Sequence, residues 1–506
     1  MSYSTLPTQL YRAEQVRQLD ALAINSGIPA IQLMKRAGRA AFHLLRLRWP
    51  EARQLIVCCG GGNNGGDGYV IAALAAEQKL AVTVVAVSDQ GKLAGEALQA
   101  CNYARQEGVP VMGAESLPQL LSDAGEDTVI VDALLGTGLS GDVRDRYKTV
   151  IAQLNDCRLP VLAVDIPSGL CSDSGQVLGA AVSADVTVTF IGCKQGLFTG
   201  RAPELVGELV FDDLGTGRDP ALAEQMQQLA PASCRISTMD LRACLPDRPA
   251  DAHKGMYGHV MVIGGDTGFG GAAAMAAEAC ARSGAGLTSV ATRPVHLSAI
   301  LARLPEVMVS GVASGQELEP LLARPSILVL GPGLGQSPWS EQMLQKAVAA
   351  GLPMVVDADA LNLMAQGRVV SNLRRDDWVL TPHPGEAARL LNCSVADIQA
   401  DRFGAALQLQ QRFGGVVVLK GAGTVIADDT GLAVASVGNP GMASGGMGDV
   451  LAGLVGGLLA QGLSPVEAAS LAVCVHGDAA DLAAAEVGQR GMLATDLIPY
   501  IRELLV

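Results

Sequence analysis

QLIVCCGGGNNGGDGYVIAALAAE, residues 54–77, is the stretch that decides the fold. An apolar β-branched run ends in a glycine-rich loop, and an alanine-rich helical pattern follows at once, which is how a strand passes into a helix in a βαβ unit. Working outward, short Val/Ile runs at 81–87, 128–133, 161–165 and 185–191 alternate with helical patterns at 69–77, 92–107 and 144–155, after an opening helix at 12–25. That alternation predicts a mostly parallel sheet covered by helices. The pattern lapses at 216–238, where Gly, Pro, Gln and Ser accumulate, and the domain boundary is expected there. A second alternation then predicts strands at 259–263, 286–291, 326–330, 354–357, 378–380 and 416–420, and closing helices at 449–461, 465–485 and 495–505. Two unlike α/β domains in series are expected.

Composition narrows the function classes. The chain has 506 residues and a formal net charge of −14, so binding of a nucleic-acid backbone or an anionic membrane by bulk positive charge is excluded. A phosphate ligand has to be held locally. Aromatic residues make up only 3%, while glycines number 60, which favours close packing of small side chains. No run of about 20 apolar residues marks a membrane span. The first 20 residues lack an apolar core and carry Glu14 and Asp20, so no secretory leader is expected. Eleven cysteines without paired spacing read as small buried hydrophobes of a reducing cytoplasm.

The loop GGGNNGGDG, at 60–68, lets the backbone point several N–H groups at one spot beside a helix N-terminus, where a phosphate or pyrophosphate belongs. It is neither the G-x-G-x-x-G fingerprint nor a P-loop. A tight glycine turn without ligand is the alternative, but two asparagines and an aspartate in one turn speak against it. DALLGTGLSGD, from Asp132, and DIPSG, from Asp165, end two further strands. Ligands bind at the carboxyl ends of parallel strands, so three polar loops are expected to converge on one crevice. Asn64, Asp132 and Ser168 offer oxygen ligands suited to a hard cation rather than zinc; each aspartate taken alone would also serve as a cap.

These three motifs in this order resemble the NAD(P)H-hydrate epimerase domain over most of residues 1–215. The resemblance implies that Asn63, Asn64, Gly65, Gly66 and Asp67 contact the hydrated nucleotide, as do Gly136, Thr137, Gly138, Leu139, Ser140, Gly141 and Asp142, together with Asp165. It makes Asn64, Asp132 and Ser168 ligands of a potassium ion. Asp165 is the candidate acid/base for cleaving and re-forming the C–O bond beside the ring nitrogen.

In the second half, NPGMASGGMGDVLAGLVGG, from residue 439, opens a long helix on a glycine-rich anion hole with Asp449 in its first turn. Such a carboxylate either complements the helix dipole or takes a proton from a hydroxyl attacking phosphorus. Strand-end loops LGPGLG at 330–335, VVDADALN at 355–362, VLTPHPGE at 379–386 and VVVLKGAGT at 416–424 fit a nucleotide site. Of six histidines, His383 is the functional candidate because it lies between two prolines; His43 and His296 fall in helical patterns.

With HKGMYGHVMVIGG at 253–265, these motifs resemble the ribokinase-like ADP/ATP-dependent NAD(P)H-hydrate dehydratases over about 235–506. The resemblance implies that Ala272, Gly333, His383 and Asp449 contact the hydrate. Lys420, Gly421, Ala422, Gly423, Thr424 and Gly448 are then expected to hold the adenine nucleotide, with magnesium on its phosphates. The loop at 266–271 reads DTGFGG where many relatives carry a serine and a threonine, which leaves backbone rather than hydroxyl contacts.

Taken together, the resemblances imply a Rossmann-like three-layer domain over 1–220 and a ribokinase-like one over 235–506. The activity expected is epimerisation of hydrated NADH or NADPH and ADP- or ATP-driven dehydration of one epimer, in a cytoplasmic homo-oligomer. A small-alcohol kinase fused to a nucleotide-binding regulatory domain is the alternative, and its stable phosphoester product would distinguish it.

Overall fold

The computed structural model describes residues 6–370 and 373–506, in two compact units that divide between Cys234 and Arg235. In the first unit, strands Gln54–Cys59 (β1), Ala81–Ala86 (β2), Val111–Gly113 (β3), Thr128–Ala133 (β4), Val161–Val164 (β5), Val186–Phe190 (β6) and Glu208–Asp212 (β7) form one parallel sheet. Their order is 3-2-1-4-5-6-7, so the chain winds away from β1 in both directions. The β1 side chains alternate accordingly. Leu55, Val57 and Cys59 join a core with the helices Ala30–Arg48, Asn63–Glu77 and Gly95–Gln106, whereas Ile56 and Cys58 join a second core with helix Asp145–Asp156. Three layers result, and the switch in winding between β1 and β4 leaves a crevice at their carboxyl ends.

In the second unit, strands His259–Ile263 (β8), Leu287–Thr292 (β9), Met308–Gly311 (β10), Ile327–Leu330 (β11), Met354–Val356 (β12), Trp378–Leu380 (β13) and Val416–Leu419 (β14) are parallel. Thr424–Ala427 (β15) and Leu432–Ala435 (β16) continue the sheet as an antiparallel hairpin, and the order is 10-9-8-11-12-13-14-15-16. Val260, Val262, Val329, Val355 and Val418 bury one face under helices Gly270–Arg282, Met447–Ala460 and Pro465–Val487. The first two of these helices touch through glycine. A Cβ on Gly453 would lie 2.1 Å from the Ala276 carbonyl oxygen, and one on Gly457 would lie 1.9 Å from Ser283 Oγ. Here the glycine surplus serves packing as well as ligand loops.

The α/β architecture expected from the sequence is present, with differences of detail. The helix expected to begin at Tyr69 begins at Asn63, so most of the glycine loop is its first turn. A Cβ on Gly65 would meet the Gly60 carbonyl oxygen at 2.2 Å, and one on Gly68 would meet Ala133 Cβ at 2.6 Å. Glycine at these positions lets the helix lie directly on the strand ends. Strands β3, β7 and β10 and the β15–β16 hairpin were not expected, being short strands at or beside the ends of the strand order, and helix Ala30–Arg48 was given no bounds, although His43 within it falls in a helical pattern. The 216–238 segment holds helix Pro220–Gln227, capped by Asp219, and strand Ser233–Arg235. No helix among the described residues is long and apolar enough to cross a membrane. None of the eleven cysteines forms a disulfide.

Candidate active sites

In the first unit the loops after β1, β4 and β5 meet at the crevice. Asp132, at the end of β4, is buried and holds the DIPSG loop: its Oδ2 accepts from the Ser168 N–H at 2.8 Å, and its Oδ1 accepts from Ser168 Oγ at 2.6 Å. Asn64 Nδ2 donates to the Leu135 carbonyl oxygen at 3.1 Å, yet its Oδ1 is buried with no hydrogen-bond partner. Burial raises the Asp132 carboxyl to about 6 against the opposing hydrogen bonds of Ser168 and Leu134, and no ammonium or guanidinium contributes. An orphaned amide oxygen near an unneutralised carboxylate and a serine hydroxyl fits a monovalent or other hard cation.

Beside this cradle lies a cavity of about 870 Å³. Asn63, Asn64, Asp67 and Asp165 line it, as do Gly136, Thr137, Gly138, Leu139, Ser140 and Asp142. Gly65, Gly66 and Gly141 do not; Gly66 instead faces Met34, whose Cε would lie 2.5 Å from an added Cβ. Asp165 has a left-handed backbone, φ +68°, uncommon for a residue with a side chain. Its Oδ1 forms an ion pair with Lys194 Nζ. Lys194 is fully buried and also donates to Thr189 Oγ1 at 2.9 Å.

In the second unit Asp357, at the end of β12, organises the strand-end loops. It is 1% exposed and accepts from Lys420 Nζ at 2.7 Å and from Thr381 Oγ1 at 2.8 Å. Burial would depress the Lys420 ammonium, but the Asp357, Glu386 and Asp449 carboxylates together hold it above its ordinary value. Gly448 closes on this pair, since a Cβ there would sit 3.2 Å from Lys420 Nζ. Asp449 stands in the first turn of helix Met447–Ala460, whose N-cap Gly446 is left-handed. Burial, then Asp357 and Glu386, raise its carboxyl to about 7 while Lys420 pulls it down. A carboxylate with that value is suited to proton transfer near neutral pH.

His383 caps helix Pro384–Leu391: its Nδ1 accepts from the Gly385 N–H at 2.9 Å, so a neutral ring carries its proton on Nε2, 3.3 Å from Glu386 Oε1. Gly333, φ +58°, approaches Ala272 so closely that a Cβ would lie 3.0 Å from Ala272 Cβ. The loop at 420–424 is braced from beneath by buried Arg402, whose Nη2 donates to the carbonyl oxygens of Leu419, Lys420 and Gly423 at 3.1 to 3.3 Å.

Family models match both halves: "YjeF-related protein N-terminus" over residues 30–196 and "NAD(P)H-hydrate dehydratase" over 260–503. The chain is 50% identical to the bifunctional NAD(P)H-hydrate repair enzyme of Coxiella burnetii, over 98% of this chain and 99% of that protein. It belongs to the bifunctional NAD(P)H-hydrate repair enzyme family. The Escherichia coli member is 44% identical, over 99% of this chain and 95% of its own. Among solved structures, the ADP/ATP-dependent NAD(P)H-hydrate dehydratase of Bacillus subtilis, co-crystallised with ATP and Mg2+, is 30% identical over 53% of this chain and 96% of its own, with a TM-score of 0.47.

In this bifunctional repair enzyme fold, each unit gathers the polar strand-end residues that the sequence singled out. Asn64, Asp132 and Ser168 come together, as do Asp357's neighbours Lys420, Gly448 and Asp449. Lys420, expected to hold a nucleotide phosphate, is bonded to Asp357. Its ammonium faces the carboxylate cluster, which includes Asp449. Sequence reasoning missed Lys194, Asp20, Glu386 and Arg402 as site residues, and used Asp357 only as part of a loop. Lys194 lies on a two-residue strand, Cys193–Lys194, that pairs with Gln9–Tyr11 and has no motif around it. Glu386 was the more accessible one: it sits three residues after His383 in a capping box, a spacing visible in TPHPGE.

Proposed function

We propose that the first unit interconverts the R and S forms of hydrated NADH or NADPH, and that the second dehydrates the S form with ADP or ATP, releasing AMP or ADP and phosphate. One feature common to both units carries this: a carboxylate at the carboxyl end of the parallel strands, Asp165 in one and Asp449's cluster in the other, beside a glycine-rich loop that opens a helix. The loops at 60–68 and 136–142 receive the dinucleotide in the first unit. The Asn64, Asp132 and Ser168 cradle suits potassium, which when bound supplies positive charge beside a phosphate.

For epimerisation, the substrate's hydroxyl lies on the carbon next to the ring nitrogen. Protonation lets it leave as water while the nitrogen lone pair forms an iminium, and water re-adds from either face. Asp165, ion-paired with the buried Lys194, is placed to take the proton of the returning water.

For dehydration, Asp449 takes the proton of the substrate hydroxyl as that oxygen attacks the terminal phosphorus. The free N–H groups of the helix that begins at Met447 face the charge that develops there. Magnesium on the nucleotide phosphates would supply further charge neutralisation. Phosphate then leaves, driven by the ring nitrogen, and proton loss restores the dihydronicotinamide. Lys420 balances the Asp357, Glu386 and Asp449 carboxylates, and Arg402 fixes the loop that faces the nucleotide. Ala272, Gly333 and His383 are assigned to the hydrate, and Gly421, Ala422, Gly423 and Thr424 to the nucleotide. Cytoplasmic residence and a homo-oligomeric state complete the proposal.

Incubating the chain with a mixed hydrate preparation and ADP or ATP, while following each epimer separately, tests it. Both epimers should disappear with recovery of reduced-nicotinamide absorbance. Accumulation of a stable phosphoester would make the second unit a kinase instead, and persistence of one epimer would deny the first unit its epimerase activity.

A further inference from the structure

The cavity of the first unit is lined by one buried ammonium, Lys194, and five carboxylates, of which Asp20, Asp67 and Asp165 interact with that ammonium and come from three different elements. Asp165 follows β5, Asp67 belongs to helix Asn63–Glu77, and Asp20 belongs to helix Ala13–Asn25; all three line the cavity together with Lys194. Only Asp165 is ion-paired to Lys194. No hydrogen bond among the described residues reaches the carboxylate of Asp20, although it is only partly exposed and faces the Lys194 and Asp165 charges. A carboxyl group so placed has no structural bond to make.

The chemistry asks for a second such group. The hydroxyls of the two epimers project from opposite faces of the ring, and one side chain reaches only the face it abuts. We propose that Asp20 is the second acid/base residue of the epimerase cavity, working against Asp165 across the shared ammonium of Lys194. The inference rests on the assignment of Asp165 made above.

The step balances. Asp20, as the carboxylic acid, gives its proton to the hydroxyl on its side; the C–O bond breaks, both electrons leave with water, and the nitrogen lone pair forms the C=N bond. Water then adds from the Asp165 side, its proton passes to the Asp165 carboxylate, and the C=N electrons return to nitrogen. Nothing is oxidised or reduced. The other epimer runs the same path backwards, with Asp165 as acid and Asp20 as base, which is what an equilibrating catalyst requires.

The electrostatics agree with these roles. Burial, helped by Asp165 and opposed by Lys194, raises the Asp20 carboxyl to about 6. Asp67 is raised well above its ordinary value by burial and by Asp165 and Asp20 against the pull of Lys194, and Arg17 lines the same cavity one turn before Asp20.

The test uses the full chain without ADP or ATP, with separately purified epimers in heavy-oxygen water. Asp20→Asn should slow epimerisation by roughly 100-fold or more, while exchange of the hydroxyl oxygen continues, without inversion, in the one epimer that faces Asp165. Asp20→Glu should recover part of the rate with a shifted pH profile. A wild-type rate and pH profile in Asp20→Asn overturns the proposal. So does equal loss of exchange and inversion with no recovery in Asp20→Glu, since that marks a purely structural residue. Asp165→Asn, run in parallel, separates the two assignments: full activity there refutes the role of Asp165, whereas a dead Asp165→Asn beside an unaffected Asp20→Asn refutes only that of Asp20.

Discussion

Replacing Asp449 by Asn probes the chemistry and the electrostatics of the second unit at once. The carboxyl is raised from 3.8 to about 7, chiefly by burial and then by Asp357 and Glu386. A displacement of roughly three units, at about 1.36 kcal/mol per unit, means that keeping Asp449 ionised costs the native state on the order of 4 kcal/mol relative to the unfolded chain. The native state binds this proton more tightly than the unfolded chain does. The group's contribution to stability is therefore fully present below about pH 4 and is lost as the pH rises through about 7. Asn carries no such loss. Allowing for partial solvent screening, Asp449→Asn should stabilise the second unit by roughly 2 to 4 kcal/mol at pH 8, by roughly 1 kcal/mol at pH 5, and by only a few tenths of a kcal/mol near pH 4. Dehydration should fall by about 100-fold or more in the same protein. Urea unfolding at each pH, with the first unit's transition as internal reference, measures the first effect, and recovery of reduced-nicotinamide absorbance measures the second. A variant no more stable than its parent at pH 8 would refute the electrostatic account, and retained dehydration would remove Asp449 from the chemistry.

Other substitutions reach the remaining parts. Asp132→Asn removes the only carboxylate among the three cradle residues and should abolish potassium stimulation of epimerisation; an unchanged potassium titration would withdraw the cation site. Gly60→Ala places a Cβ 1.8 Å from the Leu134 carbonyl oxygen and should cost the first unit roughly 3 kcal/mol in urea unfolding, whereas Gly62→Ala, which meets open space, should cost little. Equal midpoints for the two would contradict the packing described. Arg402→Lys swaps a long, planar, rigid fork for a shorter, strongly hydrated point charge that loses the fixed geometry over the three carbonyls, so the KM for ADP or ATP should rise several-fold with kcat less affected. An unaltered KM would show that the 420–424 loop needs no brace.

The parts of the molecule legible in the sequence were those that obey local rules. Buried parallel strands such as Gln54–Cys59 and Val416–Leu419 are near-continuous apolar runs, and the loops that follow them concentrate glycine and aspartate, so strands and strand-end motifs were found together. Edge strands such as Val111–Gly113 and Met308–Gly311 escaped because they are short and half-exposed, with no run of burial to betray them.

By itself, then, the sequence determined the α/β class, the division into two units and which strand-end loops concentrate glycine and polar side chains, because periodicity and glycine placement act over a few residues. Charge pairing acts across the fold, and only the tertiary structure decided it. Lys194 lies 29 residues from the Asp165 it neutralises, and Lys420 lies 63 residues from Asp357. Neither pairing leaves a mark on the residues around it. Desolvation is equally non-local, and it is burial from several elements at once that turns Asp20 and Asp449 from ordinary helix carboxylates into groups poised near neutrality.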